Sequence, residues 1–227
     1  MLTSLFQHID LYCERHGPEF WAEPVNAVSN LAFILAGIWG VWAVRRNQAG
    51  AFAEALAWWV VAIGIGSALF HTFANWLTIW ADIVPIATFT LTFTIFALRR
   101  FAALRWGQAL AVFFGFYAVA GTITLMVPEW LRLATNGSTG YLPSLLGMVF
   151  FGSVVMWRGS PAGRYILAAA LIFVLSVTCR AIDPVVCGSF PIGTHFLWHL
   201  LNGVMLVVLL ASVARYGAPP GARPGKA

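Results

Sequence analysis

The sequence predicts an all-α, polytopic membrane protein built as a bundle of seven transmembrane helices. Of its 227 residues, 60% are hydrophobic and 9% are charged, whereas an ordinary soluble domain carries roughly 25% charged residues. Apolar windows close to the ~20 residues that cross a bilayer recur along the chain. Lysine and arginine collect in alternate connections between these windows, as they do in membrane proteins. One membrane domain is therefore expected, and a water-soluble globular fold is excluded.

Each apolar window predicts one helix, and charged or turn-forming residues separate the windows. The windows cover residues 27–44, 55–73, 81–98, 107–127, 141–157, 164–179 and 193–213. The separating residues are Arg45 with Arg46, the Asn75 region, Arg99 to Arg105, Pro128 to Gly140, Arg158 to Gly163, and Asp183 to Pro191. The chain thus divides into an acidic N-terminal segment (1–26), the membrane domain (27–213) and a Gly- and Pro-rich tail (214–227), which is predicted to be disordered.

The distribution of basic residues predicts how the bundle is oriented. One side of the predicted bundle receives ten of the thirteen: Arg45, Arg46, Arg99, Arg100, Arg105, Arg158, Arg164, Arg215, Arg223 and Lys226. Because basic residues accumulate on the cytoplasmic side, we expect the C-terminus in the cytoplasm and the N-terminus outside. No basic-headed cleavable signal precedes the first apolar run, so the first helix is expected to remain in the mature protein.

Seven of the eight acidic residues, all but Glu54, fall on the predicted outer side. Two explanations fit this excess: solvation of the outer loops, or a metal site. The clustering of acids before the first helix favours the metal site. The net charge of +5 is not gathered into a basic patch interleaved with aromatics, so nucleic acid is not expected as a partner. The expected partner is the lipid bilayer. Short loops favour a bacterial inner membrane, although an organelle membrane fits the same topology.

Two histidines near the start of the last window form a candidate metal-binding pair. His195 and His199 are four residues apart, so their imidazoles share one helix face. Histidines in membrane helices also hydrogen-bond neighbouring helices, so this spacing alone leaves both interpretations open. His71 lies at the outward end of the second predicted helix, and Asp82 lies at the outward start of the third. All four groups are expected at the same membrane depth, near the periplasmic face, which favours one shared site.

A zinc ion would satisfy these groups together, since ionisable side chains are costly inside a bilayer. Three neutral imidazoles with an open fourth position are typical of catalytic zinc, which activates a bound water. Asp82 is then a candidate general base and acid, with capping of the third helix as its alternative role. Ser67, one turn before His71, is a candidate hydrogen-bond donor to the reacting carbonyl oxygen. Its alternative is helix contact between the small residues Gly64 and Gly66.

Four segments resemble the alkaline ceramidase family, within a wider superfamily of seven-helix membrane hydrolases and receptors, and the resemblance spans nearly the whole chain. They are Glu23 to Asn30 (EPVNAVSN), Gly64 to His71 (GIGSALFH), Asp82 to Pro85 (DIVP) and His195 to His199 (HFLWH). The resemblance implies a zinc amidase that releases a fatty acid and a sphingoid base from ceramide. It assigns the zinc to His71, His195 and His199. It assigns proton transfer to Asp82 and oxyanion stabilisation to Ser67.

The resemblance also implies a calcium site in the acidic N-terminal segment. Asp10, the Tyr12 carbonyl, Glu14 and Glu23 would supply it, and hard oxygen ligands of this kind suit calcium. Two positions depart from the family pattern. Asp10 stands one residue early, and His16 replaces an oxygen ligand.

Three cysteines fall on the predicted outer side, where an oxidising compartment permits a disulfide. They are Cys13, Cys179 and Cys187, and their spacing does not settle which of them pair. The segment Ile182 to Cys187 resembles the family segment whose cysteine pairs with the one in the N-terminal segment. The resemblance therefore implies a bridge between Cys13 and Cys187, with Cys179 free.

Two other functions fit parts of the sequence. The principal alternative to a lipid amidase is a non-enzymatic seven-helix lipid receptor with a structural metal site, because fold does not fix chemistry. A transporter with a histidine and aspartate relay is less favoured, because the polar groups lie at one depth and no inverted repeat is obvious. The amidase would take its lipid sideways from the bilayer.

Overall fold

The structure is a computed structural model, and it describes residues 5–219. Within those residues, seven helical segments are long and apolar enough to cross a membrane, which confirms the predicted fold class. These spans are numbered one to seven in chain order: Pro24–Arg46, Ala51–Phe73, Trp76–Phe101, Trp106–Leu125, Ser138–Trp157, Ala162–Val186 and His195–Tyr216.

Several spans contain more than one helical element. The α-helices are α1 (Pro24–Ser29), α2 (Leu31–Arg46), α3 (Ala51–Phe73), α4 (Trp76–Phe96), α5 (Trp106–Leu125), α6 (Glu129–Ala134), α7 (Leu142–Trp157), α8 (Ala162–Val186) and α9 (His195–Tyr216). The third span ends in a π-helical turn, Ala97–Phe101, and the fifth begins with a 3-10 turn, Ser138–Tyr141. The first span is interrupted at Asn30, between α1 and α2.

The third span begins at Trp76, earlier than the apolar window that starts at residue 81. The Asn75 side chain accepts hydrogen bonds from the backbone N–H groups of Leu77 and Thr78, at 3.1 and 3.0 Å. These bonds satisfy N–H groups that the start of a helix leaves free. Asn75 therefore caps this helix. The alternative role of Asp82 as the cap is wrong, because Asp82 lies well inside the helix.

The sixth span also continues beyond its apolar window, to Val186 instead of residue 179. Asp183, expected in an outer connection, is therefore a helical residue, and it is fully buried. Pro184 lacks a backbone N–H, but it lies two residues before the end of the helix, so the helix is not interrupted in its interior. At the other boundary, residues 214–216 of the predicted tail are helical. The tail from residue 220 onward lies outside the described residues.

The seventh span packs between the first and the sixth spans. The second span packs between the first and the third. The first and seventh spans are the most buried, and the fourth is the least. One apolar core, which includes Phe33, Phe89 and Trp198, draws residues from every span except the fourth. This arrangement brings the second and seventh spans, which carry the three histidines, against the first.

The N-terminal segment, residues 5–23, lies against the end of the bundle where the first span begins, which we call the site end. The backbone N–H of Ile9 donates to the carbonyl of Ala74 at 2.7 Å. A disulfide joins Cys13 to Cys187, just after the sixth span, and Cys179 is the free cysteine in the described part of the chain. This is the pairing that the family resemblance implies. The segment is thus held to both the second and the sixth spans.

Candidate metal centre

Three buried histidines meet at the site end of the bundle. His71 lies in the last turn of the second span, and His195 and His199 lie in the first turns of the seventh. Each is at most 2% exposed. One ring nitrogen from each lies within 4.8 Å of those from the other two. Across residues 5–219, this is the one group of His, Cys, Asp or Glu side chains that is placed to hold a metal ion.

Each histidine has a buried ring nitrogen that finds no hydrogen-bond partner among the described residues. These atoms are Nε2 of His71, Nε2 of His199 and Nδ1 of His195. Buried polar atoms nearly always have partners in native structures, so three orphaned nitrogens in one cluster are typical of a ligand set. Imidazole nitrogens are common zinc ligands, and three of them leave a fourth coordination position open. The donor set therefore fits a zinc ion.

Side chains of the first span and its entry orient two of these rings. His71 Nδ1 lies 2.6 Å from the carboxylate of Glu23 and donates to it. His199 Nδ1 lies 2.7 Å from the hydroxyl of Ser29, which itself donates to the carbonyl of Asn26 at 2.8 Å, so the imidazole donates to the serine oxygen. Such contacts fix the tautomer and leave Nε2 free for a metal. Ser29 lies in the EPVNAVSN segment that carries the family resemblance, but the sequence alone indicates no role for it.

Tyr12 and Arg180 cover the third ring. The Tyr12 ring stacks on His195 with centroids 3.6 Å apart. Arg180 of the sixth span donates to the Tyr12 hydroxyl at 3.5 Å, to the Asn136 carbonyl at 2.6 Å and to the Ser138 hydroxyl at 2.8 Å. Burial raises the pKa of the Tyr12 hydroxyl, so it stays protonated at neutral pH. Arg180 is one of the three basic residues that the charge distribution leaves on the predicted outer side, and in the structure it fixes the Tyr12 hydroxyl beside the site.

Asp183 holds the start of the seventh span. Its Oδ1 accepts hydrogen bonds from the backbone N–H groups of Thr194 and His195, at 2.7 and 2.9 Å. Its Oδ2 accepts the backbone N–H of Cys13 at 3.0 Å. Gly193 precedes these residues with φ +64°, and a Cβ there would lie 2.1 Å from Asp183 Oδ1. Asp183 is thus a cap supplied by the neighbouring span, a role that its place in an expected outer connection did not indicate.

The backbones of the second and third spans touch beside Ser67 and Asp82. A Cβ on Gly66 would lie 2.0 Å from the carbonyl oxygen of Ala81. Pro85, four residues after Ala81, has no N–H, so it cannot donate to that carbonyl as other helical residues would. The glycine supplies the space and the proline leaves the carbonyl free. Two of the segments that carry the family resemblance, GIGSALFH and DIVP, therefore meet at this contact.

This contact sets the Asp82 carboxylate beside the Ser67 hydroxyl, with His71 also near. Asp82 Oδ1 is buried and has no hydrogen-bond partner in the described part of the chain. Ser67 is 3% exposed. The structure thus brings Ser67 and Asp82 into the neighbourhood of the histidine cluster, as the membrane-depth argument predicts.

The four expected calcium ligands are used in other ways. Asp10 is exposed at the surface. The Tyr12 carbonyl accepts the backbone N–H of Arg15 at 3.1 Å. The Glu23 carboxylate is buried between the Arg15 guanidinium and His71. No acidic cluster that includes these residues is close enough to hold a metal within residues 5–219, so the donor set does not fit calcium.

Glu14, the fourth expected calcium ligand, caps α1 instead. Its two carboxylate oxygens accept the backbone N–H groups of Val25 and Asn26, at 2.6 and 2.8 Å. Burial raises the pKa of the Glu14 carboxyl despite these two bonds. For Glu23, burial also acts to raise the pKa, but hydrogen bonds from His71, Arg15 and Asn26 outweigh burial and hold it below the ordinary value. Glu23 is therefore an anion beside the histidine cluster.

An apolar cavity extends from the site end into the bundle. It holds about 880 Å³ of empty space with its open mouth included. Ser67, Trp198 and Asn202 contribute to its wall, and most of the remaining wall is aromatic or aliphatic: Phe33, Ile63, Phe89, Phe93, Phe151 and Phe173. A cavity of this lining suits a long hydrocarbon chain. Its wall includes neighbours of the zinc-ligand candidates on both the second and the seventh spans.

The family model described as Ceramidase matches residues 11–218. A search of curated proteins finds no significant match. The matched range holds all seven spans, the three histidines, Ser67 and Asp82, so it covers the full site. The chain therefore belongs to the ceramidase family.

Proposed function

We propose that this protein is a zinc-dependent intramembrane amidase that hydrolyses the N-acyl amide of ceramide or a related lipid. The products are a fatty acid and a sphingoid base, or another amine lipid. The observation that carries the proposal is the cluster of three buried histidines with unpartnered nitrogens, in a chain that belongs to the ceramidase family. We propose a bacterial inner membrane as its location, with the site near the periplasmic face.

The proposed metal ligands are His71, His195 and His199. A zinc ion held by three neutral imidazoles supplies Lewis acidity, which activates water and polarises a carbonyl group at neutral pH. The hydrogen bonds to Glu23 and Ser29 hold two of these rings in the tautomer that such binding needs. Burial of the cluster excludes bulk solvent, which strengthens every electrostatic interaction inside it.

Asp82 and Ser67 are the proposed catalytic residues. The Asp82 carboxylate accepts a proton from the attacking water as the new C–O bond forms, and it returns a proton to the nitrogen as the C–N bond breaks. Its unpartnered Oδ1 is available for this transfer. The Ser67 hydroxyl donates a hydrogen bond to the carbonyl oxygen, where negative charge develops. The acyl chain lies in the apolar cavity that Ser67 borders.

Purified protein in detergent, incubated with a panel of N-acyl lipids, tests the proposal. We expect release of fatty acid and free amine, loss of this activity after chelation, and its return when zinc is added. Amide cleavage that survives complete removal of zinc, or no cleavage of any lipid by zinc-loaded protein, would contradict it.

The variant Asp82→Asn separates an amidase from a metal-containing lipid receptor. It removes the proton acceptor, so turnover is expected to fall by about 10²–10⁴-fold while zinc content and lipid binding stay unchanged. Asp10→Asn is the matched control, because Asp10 is exposed, and it should keep wild-type turnover. If wild-type protein binds lipid and zinc but does not hydrolyse the lipid, the protein is a lipid receptor with a structural metal site and not an amidase.

A further inference from the structure

Arg15 is a buried cation in the N-terminal segment. It is 3% exposed, and its guanidinium pairs with the Glu23 carboxylate. It also donates to the carbonyls of Gly17, Glu19 and His71, at 3.0, 3.4 and 2.9 Å. Arginine is rarely buried unless its charge is paired and its N–H groups are bonded. Here both conditions are met, so the guanidinium is a fixed part of the fold.

Two routes lead from this guanidinium to His71. In the first, Glu23 Oε1 pairs with Arg15 and Glu23 Oε2 accepts the Nδ1–H of His71 at 2.6 Å. In the second, Arg15 donates directly to the His71 backbone carbonyl at 2.9 Å. The side chain and the backbone of one proposed zinc ligand are therefore held by the same cation. Asn26 supports the arrangement by donating to Glu23 Oε2 at 3.0 Å.

The same contacts occupy the atoms that a calcium ion would need. The Arg15 backbone N–H donates to the Tyr12 carbonyl, and the Arg15 guanidinium donates to a carboxylate oxygen of Glu23. Calcium needs about six to eight oxygen ligands, and two of the four expected donors are already bonded to Arg15. A divalent cation placed there would also be repelled by the guanidinium at short range.

We propose that Arg15 is a positioning residue that does the work of a calcium ion, so that the zinc site assembles without calcium. The proposal rests on the zinc site of the proposed function. It adds that the outer segment is fixed to the second span by an internal cation, through Glu23 and the His71 carbonyl. Zinc affinity then depends on Arg15 and does not respond to calcium.

The test compares wild type with two variants. Arg15→Met removes the charge at similar side-chain length, and Arg15→Lys keeps the charge but loses the planar guanidinium that binds two partners at once. Arg132→Met is the matched control, because Arg132 is an exposed arginine whose ion-pair partner among the described residues is Glu129, also on the surface. Each protein is dialysed against metal-free buffer and its zinc and calcium contents are measured by mass spectrometry. Zinc affinity is measured by competition with a chromophoric chelator, and the visible spectrum of the cobalt-substituted protein reports ligand geometry.

We expect wild type to hold one zinc ion per chain and no calcium, and to keep the same Tm when calcium is added. Arg15→Met should lower zinc affinity by about 10–100-fold, as loss of the support behind a metal ligand does, and should alter the cobalt spectrum. The zinc affinity of Arg15→Lys should fall between those of wild type and Arg15→Met. If Arg15→Met does not fold, the zinc affinity of Arg15→Lys decides the question. Arg132→Met should match wild type.

Stoichiometric calcium in wild type, or a Tm that rises with calcium, would overturn the proposal. So would wild-type zinc affinity and cobalt spectrum in the Arg15 variants. A wild-type protein that binds no zinc at all would instead refute the proposed function, and the two failures are therefore distinguishable.

Discussion

At the scale of single residues, Gly66 controls how closely the second and third spans approach beside Ser67 and Asp82. A methyl group at this position would lie 2.0 Å from the Ala81 carbonyl oxygen, a distance that no pair of unbonded atoms sustains. That oxygen belongs to the backbone and cannot rotate away, so the helices themselves would have to separate. The proposed proton acceptor would move with the third span.

Gly66→Ala is therefore expected to damage both stability and catalysis. Overfilling a tight contact costs about 1–3 kcal/mol, and a displacement of about 1 Å at a reacting group can cost about 10²-fold in rate. Thermal unfolding in detergent and kcat on an N-acyl lipid measure the two effects. Gly121→Ala in the fourth span is the control, since a Cβ there meets nothing within 4 Å. A Gly66→Ala protein with wild-type kcat would show that this contact does not position Asp82.

At the scale of secondary-structure elements, the seventh span depends on a cap from another helix. The first N–H groups of a helix have no partners within it, and Thr194 gives the N-cap position of α9 no side-chain bond. Asp183, in the last turn of the sixth span, accepts two of these N–H groups. A carboxylate at this position is also favoured by the positive end of the helix dipole. The helix that carries His195 and His199 is thus held in place by its neighbour.

Asp183→Ala should loosen the start of the seventh span. Hydrogen bonds to a charged group are worth about 1.5–3 kcal/mol each, so we expect a lower Tm together with weaker zinc binding. Differential scanning fluorimetry measures the Tm, and competition with a chromophoric chelator measures the zinc affinity. Asp10→Ala, at an exposed position of the N-terminal segment, should change neither. Unchanged zinc affinity in a destabilised Asp183→Ala protein would mean that the cap serves the fold alone.

At the scale of the whole molecule, charge and the disulfide divide the bundle into two unlike ends. The disulfide, the histidine cluster and the N-terminal segment lie at the site end. Because the spans alternate in direction, eight arginines of the described residues fall at the opposite end: Arg45, Arg46, Arg99, Arg100, Arg105, Arg158, Arg164 and Arg215. Disulfides persist in oxidising compartments, and basic residues stay on the cytoplasmic side. Both tendencies favour a site that faces away from the cytoplasm.

Fusions at the C-terminus test this orientation. In a bacterial host we expect a fluorescent protein fused there to fluoresce and an alkaline phosphatase fused there to be inactive, because the phosphatase needs the oxidising side of the membrane. Fusions after Arg132, in the connection between the fourth and fifth spans, should give the opposite result. An active phosphatase at the C-terminus would reverse the proposed orientation and place the zinc site in the cytoplasm.

The sequence by itself determined the class of the protein and the identity of the histidine cluster. Apolar length is a local property, and each span must bury about 20 residues in lipid whatever its neighbours are, so seven spans could be counted without a structure. The i and i+4 spacing of His195 and His199 follows from helix geometry alone. Alternation of the spans then placed His71, Ser67 and Asp82 at the same end of the bundle.

Only the tertiary structure decided what supports that cluster. Asp183 and Cys13 are 170 residues apart, and Arg15 and the His71 carbonyl are 56 apart. Such contacts depend on which helices are neighbours, and no local pattern records this. The start of the third span and the end of the sixth lie beyond their apolar windows, because a polar residue before the third window caps that helix locally and a buried acid lies within the last turn of the sixth. Glu23, which looks like a calcium ligand in the sequence, is paired with Arg15 because folding places a guanidinium beside it.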